Sequence, residues 1–250
     1  MTITNAPART RYFSTHFHRY QSVAMDDGTF RFYADLFAGE LPADRDARIL
    51  EIGCGLGKFL ATLRRLGYRN VTGIDVSEEM VGHASANFDG PVLLVEDPVA
   101  HLRSQAPGTF ERIYMLDVIE HVDKARVVEL LEAVRTALAP GGRIVVTTEN
   151  MASPVGRIQR YLDFTHEYNY TEFTLRQVLE IAGFRRVEIR GLPDPFPGRP
   201  WAVVTRPRTV ARWAAARAWH RLLRYLHELE RPDSVVPTIW GKELIGSGEP

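Results

Sequence analysis

Three glycines at alternate positions, Gly53, Gly55 and Gly57, follow the apolar run Ile49-Leu50-Glu51-Ile52 and lead into a helix-period segment from Lys58. A glycine-rich strand-to-helix turn has no Cβ atoms to hold a ligand away, and its backbone N–H groups open onto a helix N-terminus. That chemistry suits a nucleotide-like cofactor. A G-x-G-x-x-G dinucleotide fingerprint needs its third small residue at position 58, which is lysine here, so a nicotinamide cofactor fits less well. A phosphate-binding P-loop is excluded, because no Gly-Lys-Ser/Thr follows a first glycine at the required distance. Asp75 closes the next apolar run, 22 residues beyond Gly53. This is close to the spacing at which an acidic side chain reaches ribose hydroxyls in Rossmann-type sites.

Two histidines stand where a proton acceptor would be useful. His121 follows the apolar run that ends at Leu116, and His166 lies in the polar and aromatic segment Arg160 to Tyr168. Either can serve as a general base toward an alcohol, an effect worth about 10²- to 10⁴-fold; the structural alternative for His121 is satisfaction of a helix start. His166-Glu167 begins like a zincin helix, but Tyr170 stands where the second histidine ligand belongs, which excludes zinc hydrolysis. Asp163 and His166 are too few to argue a metal, so no metal is expected and the pair reads equally as a loop anchor.

These residues need a scaffold, and the chain between Ala47 and Val204 supplies its pattern. Short β-branched runs alternate with helix-period segments, the sign of a parallel sheet covered on both faces. Candidate strands are 48–52, 71–75, 92–95, 112–116, 143–148, 186–189 and 201–205, which makes a seven-stranded, doubly wound α/β sheet. Leu56, Leu60, Leu63 and Leu66 form a helical stripe closed by Gly67; Val127, Leu130, Val134 and Leu138 form another before Pro140-Gly141-Gly142. A third helix is expected to start at Thr174 with Gln177 completing a capping box, to bury Leu175, Val178, Leu179 and Ala182, and to end at Gly183. The Pro-rich stretch 192–200 reads as a connection.

Flanking segments divide the chain into an aromatic N-terminal helical cap over 1–46, the cofactor domain over 47–205, and a C-terminal amphipathic helix with a tail over 206–250. Tyr12, Phe13, Phe17 and Tyr20 are candidates for a lid over an acceptor pocket or for ordinary packing. The helix from Val210 to Leu229 sets Trp213, Leu222 and Leu226 among Arg212, Arg217, Arg221 and Arg224; packing on the domain, a homodimer contact or peripheral contact with an anionic membrane would each use it. The 31 basic and 31 acidic residues cancel, so no global field favours nucleic acid. The lone Cys54 forms no intramolecular disulfide, and the start of the chain has no apolar leader pattern, so a cytoplasmic protein without a stable membrane insertion is expected.

Glu51, Gly53, Gly55 and Gly57 together match the first motif of the class I S-adenosylmethionine (SAM)-dependent methyltransferases, which the chain resembles over roughly residues 47 to 205. The likeness continues through Gly73-Ile74-Asp75-Val76-Ser77, Glu96-Asp97, Met115 to Val122 and Leu138-Ala139-Pro140-Gly141-Gly142. The resemblance implies a Rossmann-like fold and SAM as cofactor, leaving S-adenosylhomocysteine as product. It places the glycine backbone around the methionyl part, Asp75 at the ribose, Asp97 at adenine N6, and Leu116 and Asp117 near the amino group, with Glu51 and Val76 also among the cofactor-binding residues. Glu120-His121 looks like the Asp-x-x-Glu-His run of many small-molecule methyltransferases. Asp163-x-Thr165-His166 resembles a bacterial subset associated with sugars and surface polysaccharides. The resulting expectation is O-methylation of a small hydroxylated acceptor such as a sugar or glycosylated metabolite, with His121 and His166 as catalytic residues. N-methylation on the same scaffold, or a non-catalytic interaction subunit, are the alternatives.

Overall fold

The computed structural model describes residues 23–192 and 207–250, together with Ser14 and His18. Seven strands form one sheet in the order β3-β2-β1-β4-β5-β7-β6: β1 (Ile49–Ile52), β2 (Val71–Asp75), β3 (Val92–Leu94), β4 (Phe110–Leu116), β5 (Leu138–Glu149), β6 (Arg185–Gly191) and β7 (Glu243–Glu249). Strands β1 to β5 pair in parallel, whereas β7 lies antiparallel to both β5 and β6. The order turns back at β1, so the ends of β1 and β4 flank a crevice of the kind in which open α/β sheets bind ligands.

Each face of the sheet carries its own core. On one side α1 (Asp27–Leu36), α2 (Lys58–Arg65) and α3 (Glu78–Asn87) bury Leu36, Phe59, Leu60, Leu63 and Ala84 against Ile49, Tyr114 and Val145. On the other, α4 (Pro98–Ser104), α5 (Val127–Ala137) and α7 (Glu172–Ile181) bury Leu102, Leu130, Val134 and Leu175 against Ile113, Met115, Ile144 and Val146. Adjacent strand residues thus feed opposite cores, as the two-residue period of a strand dictates. Two further helices are α6 (Pro154–Arg160) and α8 (Pro207–Glu230). Asp26 caps α1 by accepting from Thr29 N at 2.6 Å, and α1 is anchored by Phe37, whose ring meets Phe59 at 5.1 Å and Tyr114 at 5.9 Å.

The structure moves two of the helix boundaries expected from the sequence and keeps a third. Leu138 does not end the second helical stripe: α5 stops at Ala137, and Leu138 opens β5 by pairing with Phe110. The capping box of α7 lies one turn earlier than Thr174 and Gln177. Thr171 is extended and accepts from Thr174 N at 3.3 Å, while Thr171 N donates to Thr174 Oγ1 at 2.9 Å. The stop at Gly183 holds, with φ at +87°.

The seventh strand comes from the stretch read as a tail. Candidate strand 201–205 and most of the Pro-rich connection lie outside the described residues, as do Tyr12, Phe13, Phe17 and Tyr20. Glu243–Glu249 looks unlike a strand because it carries Gly246 and Gly248, yet neighbouring side chains pack tightly over both. A Cβ on Gly246 would come within 3.1 Å of Ile189 and Leu175, and one on Gly248 within 3.1 Å of Phe184. Two buried side chains hold the approach to β7. Asn150 Nδ2 donates to the carbonyls of Ile239 (2.8 Å) and Gly241 (2.9 Å), and the Glu172 carboxylate accepts from Thr238 N (2.9 Å) and Ile239 N (2.8 Å).

Candidate active site

The glycine loop turns sharply because all three glycines take positive φ: 70° at Gly53, 52° at Gly55 and 71° at Gly57. Each is glycine for a different reason. A Cβ on Gly53 would sit 2.4 Å from Val118 Cγ2, and one on Gly57 would press to 3.0 Å from the Ala84 backbone. A Cβ on Gly55 would meet nothing within 4 Å; it would project into open space that a ligand can fill. Asn87 braces the loop by donating to Leu56 O at 2.9 Å.

A cavity of about 910 Å³ opens at this point, bounded by the glycine loop, the ends of β2 and β4, α1, and the loop between α6 and α7. Glu51, Gly53, Gly55, Asp75, Val76, Asp97, Leu116, Asp117, His121 and His166 all line it; Gly57 is set back as the N-cap of α2. Tyr33, Phe37 and Lys58 complete the wall on the α1 side.

The acidic residues are held in distinct ways. Asp75 is buried and accepts from Gly55 N and Ser77 N, each at 2.9 Å, so it shapes the loop while its carboxylate lines the cavity. Burial raises its pKa, opposed by those backbone bonds. Glu51 is buried with Oε2 lacking a donor, and burial, then the Asp75 charge, push it well above the usual carboxylate range. Asp97 caps α4 by accepting from Val99 N at 3.0 Å and holds Arg126 at 3.1 Å, so it comes to any ligand already engaged. Asp117 adopts φ of 54°, a conformation aspartate tolerates better than most residues. Its N–H bonds Thr147 Oγ1 at 3.0 Å, and Thr147 donates back to Oδ1 at 2.8 Å. Asp117 is exposed to the cavity; desolvation by the surrounding protein, then the Glu243 charge, push its carboxyl up to about 6.

His121 and His166 come from segments 45 residues apart and meet with ring centroids 4.7 Å apart. The turn Ile119–His121 and the loop are tied together, since Glu167 N and Tyr168 N donate to Glu120 O at 2.8 and 3.2 Å. Asp163 Oδ1 accepts from Thr165 Oγ1 at 2.7 Å, and that hydroxyl lies 2.8 Å from His121 Nδ1. An ionised carboxylate only accepts, so the single Thr165 hydroxyl proton goes to Asp163 and Thr165 Oγ1 accepts from His121 Nδ1–H. In the neutral ring the lone pair then belongs to Nε2. His166 is buried, with Nε2 3.9 Å from Glu149 Oε1 and Nδ1 lacking a hydrogen-bond partner.

Sequence reasoning passed over Thr165 as a link, and Glu120 and Glu149 as a pair. Glu120 is fully buried, and no N–H or hydroxyl donor reaches its carboxyl oxygens; burial, then the charges of Asp117 and Glu149, raise its pKa well above normal, and a side-chain hydrogen bond to Glu149 acts in the same direction. The two glutamates carried a signal: Glu120 lies just past β4 and Glu149 ends β5, both at the carboxyl edge of the sheet. Ligand atoms of Glu120, His121 and His166 lie within 4.8 Å of one another, close enough in principle to share a cation.

Residues 24–189 match the family model described as a methyltransferase domain. Among curated proteins, the chain is 33% identical over 111 residues to a ubiquinone biosynthesis O-methyltransferase of Xanthomonas campestris pv. campestris, covering 42% of this chain and 44% of that protein. It is 36% identical over 107 residues to the Aeromonas salmonicida protein of the same name, covering 41% and 43%. The alignments thus span under half the length of these relatives. A SAM-dependent methyltransferase of Archaeoglobus fulgidus shares the fold with a TM-score of 0.67 at 22% identity, over 96% of this chain and 99% of that one. A Haemonchus contortus phosphoethanolamine N-methyltransferase 2 in complex with SAM does so with a TM-score of 0.62 at 15% identity, over 100% and 60%. With the glycine cradle, the strand order and this family match together, the chain belongs to the methyltransferase-domain family, as a class I SAM-dependent methyltransferase.

Proposed function

We propose that this enzyme methylates a hydroxyl group of a small acceptor, a sugar or glycosylated metabolite, with His121 as the proton acceptor. The open space at Gly55 and the unpartnered Glu51 oxygen fit SAM, a cationic amino-acid nucleoside. In this reading the glycine backbone and Glu51 hold its methionyl end, Asp75 and Val76 the ribose, Asp97 the adenine, and Leu116 and Asp117 the amino group. SAM supplies an electrophilic methyl group on a sulfonium centre. The chain's own part is to align the acceptor, an effect that can supply roughly 7 to 11 kcal/mol, and to take its proton.

The observation that carries the hydroxyl reading is the chain from Asp163 through Thr165 to His121. In this reading it fixes the ring and its tautomer and directs the lone pair to Nε2. His166, 4.7 Å away, positions the acceptor. The relatives named as O-methyltransferases support the same atom type, and the sugar class rests on the resemblance of the Asp163 to His166 segment.

A second reading, N-methylation, draws on the acidic floor of the cavity. Glu120, Glu149, Asp117 and Glu243 gather there, and such a floor suits an amine. A labelled-methyl transfer screen over sugars, nucleotide sugars, phenols, amines and carboxylates separates the two. The O-methyl reading expects an ether product whose formation falls at least 100-fold in His121→Asn; label appearing only on amines, at a rate His121→Asn leaves intact, would overturn it.

A further inference from the structure

Helix α8 stands apart from the rest of the molecule in how it is packed. Val210, Trp213, His220, Leu223 and His227 recur at helical spacing as its half-buried positions, so they mark the side turned to the body; none is fully buried. The opposite side is apolar and faces solvent. It carries Ala211, Ala214, Ala215 and Ala218 in the first half, then Trp219 (49% exposed), Leu222, Tyr225 (57%), Leu226 and Leu229 (60%). A solvent face with this content on a 24-residue helix inverts the usual amphipathic arrangement.

The charges beside that stripe indicate what covers it. At 100° per residue, Arg208 and Arg212 fall along one flank and Arg217, Arg221 and Arg224 along the other. The only acids on the helix, Glu228 and Glu230, sit at its end, and Glu228 is held by Arg224 at 2.9 Å. The whole chain is formally neutral, so this excess of positive charge is local. Tryptophan and tyrosine beside leucine, flanked by arginines whose stems can lie along the apolar edge while their heads reach outward, match the headgroup boundary of a bilayer. A second copy of the same helix would instead bring arginine flanks against arginine flanks. Among the described residues no helix is long and apolar enough to cross a membrane, so the contact is one of lying on the surface.

We propose that α8 docks the enzyme on anionic lipid membranes through Trp219, Leu222, Tyr225, Leu226 and Leu229, with its arginines on the lipid headgroups. The inference is independent of which atom is methylated. It also has a direct link to the site: only residues 231–242 separate α8 from β7, His227 packs its ring 6.2 Å from that of Trp240, and Lys242 and Glu243 line the cavity. A membrane-bound α8 would hold the cavity near the bilayer surface.

Co-sedimentation of the full chain with vesicles tests the proposal. Vesicles of phosphatidylcholine with about one-third phosphatidylglycerol should retain the protein at least tenfold better than phosphatidylcholine alone, and 0.5 M salt should weaken that retention. The double variant Leu222→Glu/Leu226→Glu should lose retention while its circular dichroism and its calorimetric affinity for SAM stay as in the parent chain. Equal retention by both vesicle types, or retention unchanged in the double variant, would overturn it. So would a dimer in light scattering that the double variant splits and that shows no vesicle binding, since a second copy would then occupy the face.

Discussion

Thr165 and Asp117 show how single residues set the chemistry. In Thr165→Val the shape remains but the link between Asp163 and His121 is cut. We expect kcat to fall about 10- to 100-fold, a fraction of what a general base supplies, with KM little changed and the acidic limb of the pH profile displaced. A loss confined to KM would show that the hydroxyl only anchors the loop. Asp117 binds more protons folded than unfolded between its usual pKa of 3.8 and about 6, so stability falls as pH rises through that interval and stays lower above it. Asp117→Asn should therefore stabilise the ligand-free protein by on the order of 1 kcal/mol at pH 8, water in the cavity screening the larger nominal effect. The gain should vanish near pH 3 to 4 in denaturant titrations, as linkage requires. His121 and His166 were legible in the sequence as separate residues placed after strands. Their meeting at 4.7 Å was not, because it depends on a loop folding back onto the Ile119–His121 turn.

At the scale of elements, the glycine loop separates binding from folding. Gly55→Val fills open space, so it should abolish most SAM affinity, about 100-fold or more, with a small fall in Tm from the positive φ. Gly53→Val drives its side chain into half-buried Val118 and should instead cost stability first, about 1 to 3 kcal/mol, as overpacking does. Parallel thermal melts and calorimetry on the two variants check this contrast. Strands β1 to β5 were readable from their β-branched runs and the glycine or capping signals between them. Strand β7 was not, since Gly246 and Gly248 carry no β propensity of their own and the close packing of Leu175, Ile189 and Phe184 over them is visible only in the fold. The start of α7 slipped by one turn because Thr171 and Thr174 both offer a capping hydroxyl, and only the extended backbone at Thr171 decides between them.

Across the whole molecule, the sheet brings together residues from the ends of β1, β2, β4 and β5, from α1, and from the chain leading into β7. The residues proposed to hold the cofactor were legible as candidates because they lie next to local turn signals; those proposed for the acceptor side were less so, because that wall is assembled from loops and from a strand at the far end of the chain. The Asn150 and Glu172 latch makes that end part of the site, since it sets Lys242 and Glu243 in the cavity wall. Isothermal calorimetry of the full chain with SAM and with S-adenosylhomocysteine tests the central claim most directly. The account predicts one site for each ligand, with Asp75→Asn weakening both by roughly tenfold or more, as loss of a hydrogen bond to a charged group implies. Binding of neither ligand to the folded protein would contradict it.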